Sequence, residues 1–249
     1  MPPRQGLRPL KAWRYVGIYG PEIMLCAAFV RIGPARQAFW AVWDRRGRLF
    51  ERTVLGRGRV SLACGRLRVL DGDVQIDFEL EEGPGIEAVC PSGSSYAWTR
   101  KQGGIRARGT VALGGEPRAV AARAVIDDTA AYYGRHTQWQ WSAGVGSLSD
   151  GRAAAWNLVR GVNDPPEHSE RTIWIEGVGR EAPPVQFADD LSAVGELHFD
   201  AEAVRERREN RVLVRSAYRQ PFGTFSGYLP DGLELTEGYG VMEEHDVWW

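Results

Sequence analysis

Apolar and polar positions alternate in short runs along most of the chain, and Gly, Pro or Asp-Gly punctuates them. A period of two is the mark of strands with one dry face. The clearest case is 74–80, where Val74, Ile76, Phe78 and Leu80 share one side and Gln75, Asp77 and Glu79 the other. Earlier, Trp13, Tyr15, Gly17 and Tyr19 alternate against Arg14, Val16 and Ile18, and a mostly apolar run covers 23–32. The runs 37–43 and 49–54 flank Asp44-Arg45-Arg46-Gly47, and 67–70 and 74–80 flank Asp71-Gly72-Asp73. Both are hairpin signals, because Gly supplies the positive φ that tight turns require. Strands are predicted at 96–101, 105–113 and 118–126, with Gly103-Gly104 and Gly114-Gly115 as turns. Later hairpins pair 139–146 with 153–159, 171–176 with 177–181, and 222–229 with 233–242. Strands at 196–205 and 210–218 are joined by Glu206-Arg207-Arg208-Glu209, which also suits one helical turn. No long segment carries an apolar helical stripe, so the expected class is all-β with little helix.

The segments 39–53 and 141–159 echo each other as aromatic strand, Asp-containing turn and strand. Each lies early in its half, which suggests two similar β-lobes, 1–125 and 126–249. No Pro/Ser-rich linker separates them, so close packing of two antiparallel barrels or sandwiches is expected. A closed barrel would leave a ligand cavity in its mouth.

Charge excludes little but narrows the partners. Lys plus Arg is 31 and Asp plus Glu 32, so no global field favours nucleic acid or an anionic membrane. The basic side is almost all Arg; only Lys11 and Lys101 are lysines. Cys26, Cys64 and Cys90 are odd in number and widely spaced, which fits neither a disulfide framework nor a zinc pattern and points to a reducing compartment. No apolar run has secretory or membrane-spanning length. A soluble, cytoplasmic protein without stable membrane insertion is expected, and nothing here sets an oligomeric state.

Phosphate loops, nucleophile elbows, His-Glu-x-x-His and paired Cys-x-x-Cys are absent. The densest chemistry lies in 127–144, which holds Asp127, Asp128, Tyr133, Arg135, His136, Trp139 and Trp141. On a strand His136, Gln138, Gln140 and Ser142 share one face and Trp139 and Trp141 the other; the polar face is the expected pocket wall. His136 would act as acid or base, oriented by Asp127 or Asp128. The alternative is a turn cap and a structural histidine. Asn157 stands alone in an apolar strand and needs a partner, structural or ligand. Arg219 beside Gln220 at a strand end could bind a carboxylate or carbonyl. Glu243 and His245 share a face near the C-terminus; without a third ligand, no metal site is predicted.

Residue matches add a family. WRYVGIY, FWAVWD, YAWTRKQ, DDTAAYYGRHTQWQWSAGVG, AWNLV, FADDLSAVG, YRQPFGTFSG and EGYGVMEEHDVWW resemble the domain-of-unknown-function family numbered 2804, over nearly the whole chain. That family is in turn similar to the two-lobed lipocalin-like group of carotenoid hydratases and tocopherol cyclase. The resemblance implies lipocalin-like lobes, polyene or prenyl substrates, no redox cofactor, and Asp127, Asp128, His136 and Trp139 at a second-lobe cavity. An Asp-His dipeptide associated with the hydratases is absent from this chain.

The leading expectation is a cofactor-independent lyase, hydratase, isomerase or cyclase acting on a small hydrophobic substrate, isoprenoid-like ones included. His136, Asp127 and Asp128 would be catalytic. Tyr133, Trp139, Trp141, Asn157, Arg219 and Glu243 would bind substrate. The alternatives are a carrier or sensor of an apolar ligand, and a structural protein whose polar residues only pin strands.

Overall fold

The computed structural model describes residues 1–56, 58–210 and 214–249. Among them there is no helix, and none long and apolar enough to cross a membrane. Short strands β1 (Arg4–Gln5) and β2 (Arg8–Pro9) pair with each other. The first large sheet holds β3 (Lys11–Tyr19), β4 (Ile23–Ile32), β5 (Ala35–Asp44), β6 (Arg48–Leu55) and β7 (Val60–Ala63). It continues with β8 (Arg66–Asp71), β9 (Val74–Leu80), β10 (Ile86–Ser92), β11 (Ser95–Leu113) and β12 (Arg118–Ala131). The second sheet begins with β13 (His136–Leu148), β14 (Ala153–Arg160), β15 (Thr172–Ile175) and β16 (Val178–Glu181). It ends with β17 (Ala193–Val194), β18 (Glu196–Asn210), β19 (Arg215–Tyr228) and β20 (Glu234–Trp248).

All pairings are antiparallel. The orders are β6-β5-β4-β3-β12-β11-β9-β8-β7, with β10 also on β11, and β16-β15-β14-β13-β20-β19-β18-β17. Each sheet curls around a core of its own. Val16, Leu25, Trp40, Val69 and Phe78 fill the first, and Trp156, Leu158, Phe199, Phe225 and Met242 the second. A third apolar layer lies between the sheets, where Tyr15, Cys26 and Phe39 meet Trp141, Val241 and Phe222. This layering explains the two sequence textures. Strands β3, β4, β5 and β12 are covered on both faces, so 23–32 reads as nearly continuous apolar sequence. Strand β9 is covered on one, and it alternates cleanly.

Three details differ from the sequence expectation. The Gly103-Gly104 pair is not a turn but a bulge within the continuous strand β11. Gly104 has φ +71°, and a Cβ on Gly103 would fall 2.2 Å from the ring of Trp174 in the other sheet; a bulge and a turn draw on the same glycine chemistry. The Glu206–Glu209 segment is strand, held in register against Ser216–Arg219. Strand β12 runs through residue 131, so an expected division at 125/126 falls inside it and Asp127 and Asp128 belong to the first sheet. The strand expected over 210–218 takes in 211–213, which lie outside the described residues.

Gly144 is a point of close approach. A Cβ there would sit 2.2 Å from Trp156 Cζ2, and Trp156 is fully buried with its indole N–H donating to Ser142 Oγ. Gly144→Ala should therefore destabilise the fold by about 1–3 kcal/mol through overpacking. An unshifted urea midpoint would show that the indole has room to move.

Candidate functional site

Between the two sheets lies a cavity of about 160 Å³, close to the ~150 Å³ that holds a benzene-sized guest in an apolar core. It takes a ring-sized group or the end of a longer molecule. Trp13, Tyr15 and Phe39 face it from the first sheet, and Trp139, Trp141 and Tyr218 from the second. Trp13 stacks on Trp139 with centroids 6.2 Å apart, and Trp141 meets Tyr15 edge-on at 5.3 Å.

Into this aromatic wall come two carboxylates from opposite sheets. Asp127, on β12 beside Tyr15, accepts from the indole N–H of Trp13 (3.1 Å) and from Thr129 Oγ1 (2.8 Å). Glu243, on β20 beside Trp141, accepts from the indole N–H of Trp139 (2.8 Å), Tyr218 OH (2.8 Å) and Gln220 Nε2 (2.9 Å). Their charge environments differ. Asp127 faces the buried ammonium of Lys101 at 2.5 Å, delivered by its register partner on β11. Glu243 is met directly by neutral donors, and burial raises its pKa against the pull of Tyr218 and Trp139. Paired carboxyls in unlike surroundings are how proteins separate an acid from a base.

Two further groups complete the wall. Glu170 lines the cavity 3.3 Å from Lys101 Nζ and accepts from Asn163 Nδ2 at 2.8 Å. Burial pushes its carboxyl up to about 7, against Lys101 and helped by Asp127. His245 sits half-buried against Trp139 and Tyr218, with Nε2 2.7 Å from Ser216 Oγ. Burial lowers its pKa to about 3, so it is neutral at ordinary pH. Among the described residues no three His, Cys, Asp or Glu side chains converge as a metal set.

Because the Glu170 carboxyl holds its proton more tightly folded than unfolded, it favours folding below its ordinary 4.5 and loses that contribution as pH rises through about 7. Glu170→Gln should flatten the stability profile between those values in urea titrations. Parallel profiles for the two proteins would mean that Glu170 titrates normally.

The expected site residues divide sharply. Asp127, Trp139, Trp141 and Glu243 line the cavity. His136 does not: it is exposed, bonds Asp246 Oδ1 at 2.8 Å and stacks on Trp248. The alternation of 136–142 is as expected, but the aromatic face is the one turned to the cavity. Neither Asp127 nor Asp128 is the recorded partner of His136, since the chain crosses from one sheet to the other between 131 and 136. Asp128 points to the opposite face of β12 from Asp127 and is clamped by Arg14 and Arg100. Asn157 has protein partners, accepting from Trp141 Nε1 at 2.8 Å and donating to the Glu170 carbonyl at 3.0 Å. Tyr133 is buried behind the wall, accepting from Asn163 Nδ2 and stacked on Trp13. Arg219 pairs with Glu206 at 3.3 Å and lies, with Gln138, Gln140 and Asp246, in an adjoining polar pocket of about 510 Å³ that shares Trp139, Tyr218 and His245 with the cavity. The expected barrel-mouth cavity is thus replaced by one between the sheets.

Sequence reasoning assigned no site role to Lys101, Glu170, Arg205 or Tyr218. Lys101 left two traces, as one of only two lysines in an Arg-rich chain and as part of the polar cluster 98–102 among the first-half tryptophans, and Tyr218 opens the candidate segment 218–227. Nothing marked Glu170.

A family model described as a domain of unknown function, DUF2804, matches residues 50–249. No curated protein matches the sequence. Among solved structures the chain is similar to kievitone hydratase from Nectria haematococca, at TM-score 0.54 and 10% identity over 94% of this chain and 88% of that one. It is similar to an AttH candidate from Nitrosomonas europaea, at 0.53 and 16% over 94% and 92%. It is also similar to CghA solved with Sch210972, at 0.50 and 9% over 100% and 93%. At these identities the likeness is one of fold, and it places the chain in the lipocalin-like architecture.

Proposed function

The chain belongs to the DUF2804 family, and on that premise and the geometry of its cavity we propose that it is an acid/base enzyme of the lyase, hydratase, isomerase or cyclase kind. Its substrate is a small hydrophobic molecule, or the ring-sized end of a larger one, isoprenoid-like molecules included. The observation that carries the reading is the pair Asp127 and Glu243, one from each sheet, set in an aromatic wall and each held by a tryptophan N–H.

In this reading protonated Glu243 gives its proton to an unsaturated carbon or a carbonyl oxygen of the substrate. Water or an internal nucleophile adds to the resulting cation, and Asp127 takes the proton released. Proton exchange with solvent restores both groups, so the net change is addition of water or rearrangement alone. The faces of Trp13 and Trp139 stabilise positive charge as it develops. His245 serves as a neutral wall and hydrogen-bonding group, because an imidazole with its pKa lowered to about 3 keeps one ring N–H but lacks the second, acidic proton of an imidazolium.

The test is isotopic and does not require the natural substrate. Incubated in D2O with unsaturated terpenoid alcohols and cyclic enones, the protein should incorporate deuterium at carbon, read by mass spectrometry. Saturable binding of the same compounds without incorporation would instead favour a carrier. One observation favours that second reading: protein donors already occupy both oxygens of Glu243.

A further inference from the structure

Two arginines line the cavity: Arg207 is paired with Glu209, whereas the hydrogen bonding of Arg205 is incomplete. Arg205 lies on β18 of the second sheet, only 2% exposed, and reaches the first sheet. There Nη2 donates to Thr53 Oγ1 at 3.0 Å, and Nε pairs with Glu51 Oε2 at 3.0 Å. Its guanidinium carbon lies 4.0 Å from the ring centre of Phe39 and 4.9 Å from that of Tyr218, two residues that line the cavity with it. Nη1 is buried and has no hydrogen-bond partner among the described residues. A buried charged donor left unpaired costs more than almost any other polar defect, and a guanidinium edge matches a planar oxyanion. A second unpartnered atom on the same wall, Oδ1 of Asn163, is an acceptor that lacks a donor.

We propose that the cavity takes hydrophobic carboxylic acids, with Arg205 pairing with the carboxylate and the apolar body lying among Trp13, Trp139 and Trp141. This rests on the inter-sheet cavity being the functional site. A carboxylate supplies the acceptor that Nη1 lacks and adds to the partial cover of a buried positive charge that Glu51, itself 39% exposed, meets at one edge and that Glu243 feels across the cavity. The Asn163 oxygen, also in the cavity lining, would receive a hydroxyl, which is the group that hydration of an unsaturated acid creates. The binding role assigned from sequence to Arg219 thus passes to Arg205, which sits on the neighbouring strand opposite Gln220.

The experiment is calorimetric titration with trans-cinnamate, methyl cinnamate and cinnamyl alcohol, which share a ring-sized body and differ in charge. Wild-type protein should bind the acid at least about tenfold more tightly than the ester, as expected for a hydrogen bond to a charged group. Arg205→Gln should lose that preference while keeping its affinity for the ester. Arg205→Lys, which keeps the charge but not the fork, should fall between them, and it guards against misreading a folding defect. Equal affinity for acid and ester in the wild type, a preference that survives in Arg205→Gln, or no saturable binding of the acid overturns the proposal. Deuterium incorporation into neutral enones without any acid preference would overturn it and leave the acid/base reading standing. Acid preference lost in Arg205→Gln, with no incorporation in any compound, would do the reverse.

Discussion

Glu243→Gln is expected to lower the rate of solvent-deuterium incorporation about 10²–10⁴-fold, the range for loss of a positioned acid or base. The substitution preserves size and leaves an amide that still accepts from the Trp139 N–H. It removes the transferable proton. One structural conflict accompanies it, since Tyr218 OH and Gln220 Nε2 both donate to Oε2, and an amide nitrogen there would face donors. Tyr218 can rotate its hydroxyl, so a stability loss of ~1 kcal/mol is expected, too small to unfold the protein. The matched control is His136→Ala, which removes an exposed contact with Asp246 and a surface stacking contact with Trp248, both away from the cavity. Such pairs contribute less than about 1 kcal/mol, and both incorporation and stability should be unchanged. Undiminished incorporation in Glu243→Gln would remove this residue from the chemistry.

The largest effect on stability is expected from Lys101→Met. Lys101 is 1% exposed. Burial works against its charge, but Asp127 and Glu170 outweigh burial and hold its pKa above the ordinary lysine value. Its removal leaves Asp127 in the protein interior without its counter-charge and takes away the pull that lowers the Glu170 carboxyl, so Glu170 keeps its proton at neutral pH. Breaking a buried pair from one side costs about 3–5 kcal/mol, a large share of the 5–15 kcal/mol that usually holds a fold together. The thermal midpoint should fall by on the order of 10 °C. Adding Asp127→Asn and Glu170→Gln to Lys101→Met should recover most of the loss, because the triple variant holds no unpaired charge there. Failure of the triple variant to recover would place the cost of Lys101→Met in packing rather than in charge.

Fold and site were legible to different depths, for physical reasons that particular residues show. Alternation in 74–80 reveals β9 because one side of that strand meets water. The apolar run 23–32 reveals a strand but not its two partners, since burial on both faces erases the period. Gly103-Gly104 is ambiguous from sequence, and only the ring of Trp174 lying over Gly103 explains the bulge. In the central stretch the parity of 136–142 is local and therefore readable. Which parity faces the cavity depends on the other sheet, and no single strand encodes that. The partnership of Asp127 with Lys101 depends on strand register across 26 positions of sequence, and that of Arg205 with Thr53 on packing between sheets. Trp139, Trp141 and Glu243 line the cavity although the sequence pointed to the polar face of 136–142 as its wall and to Glu243 only through its same-face spacing from His245.

The most direct test of where this protein works is a crystal structure with bromobenzene, located by the anomalous signal of bromine. The predicted result is a bromine peak between the sheets, in contact with Trp13, Trp139 and Trp141 and beside Glu243. A peak confined to the polar pocket of Gln138 and Arg219, or to the interior of either sheet, would contradict it.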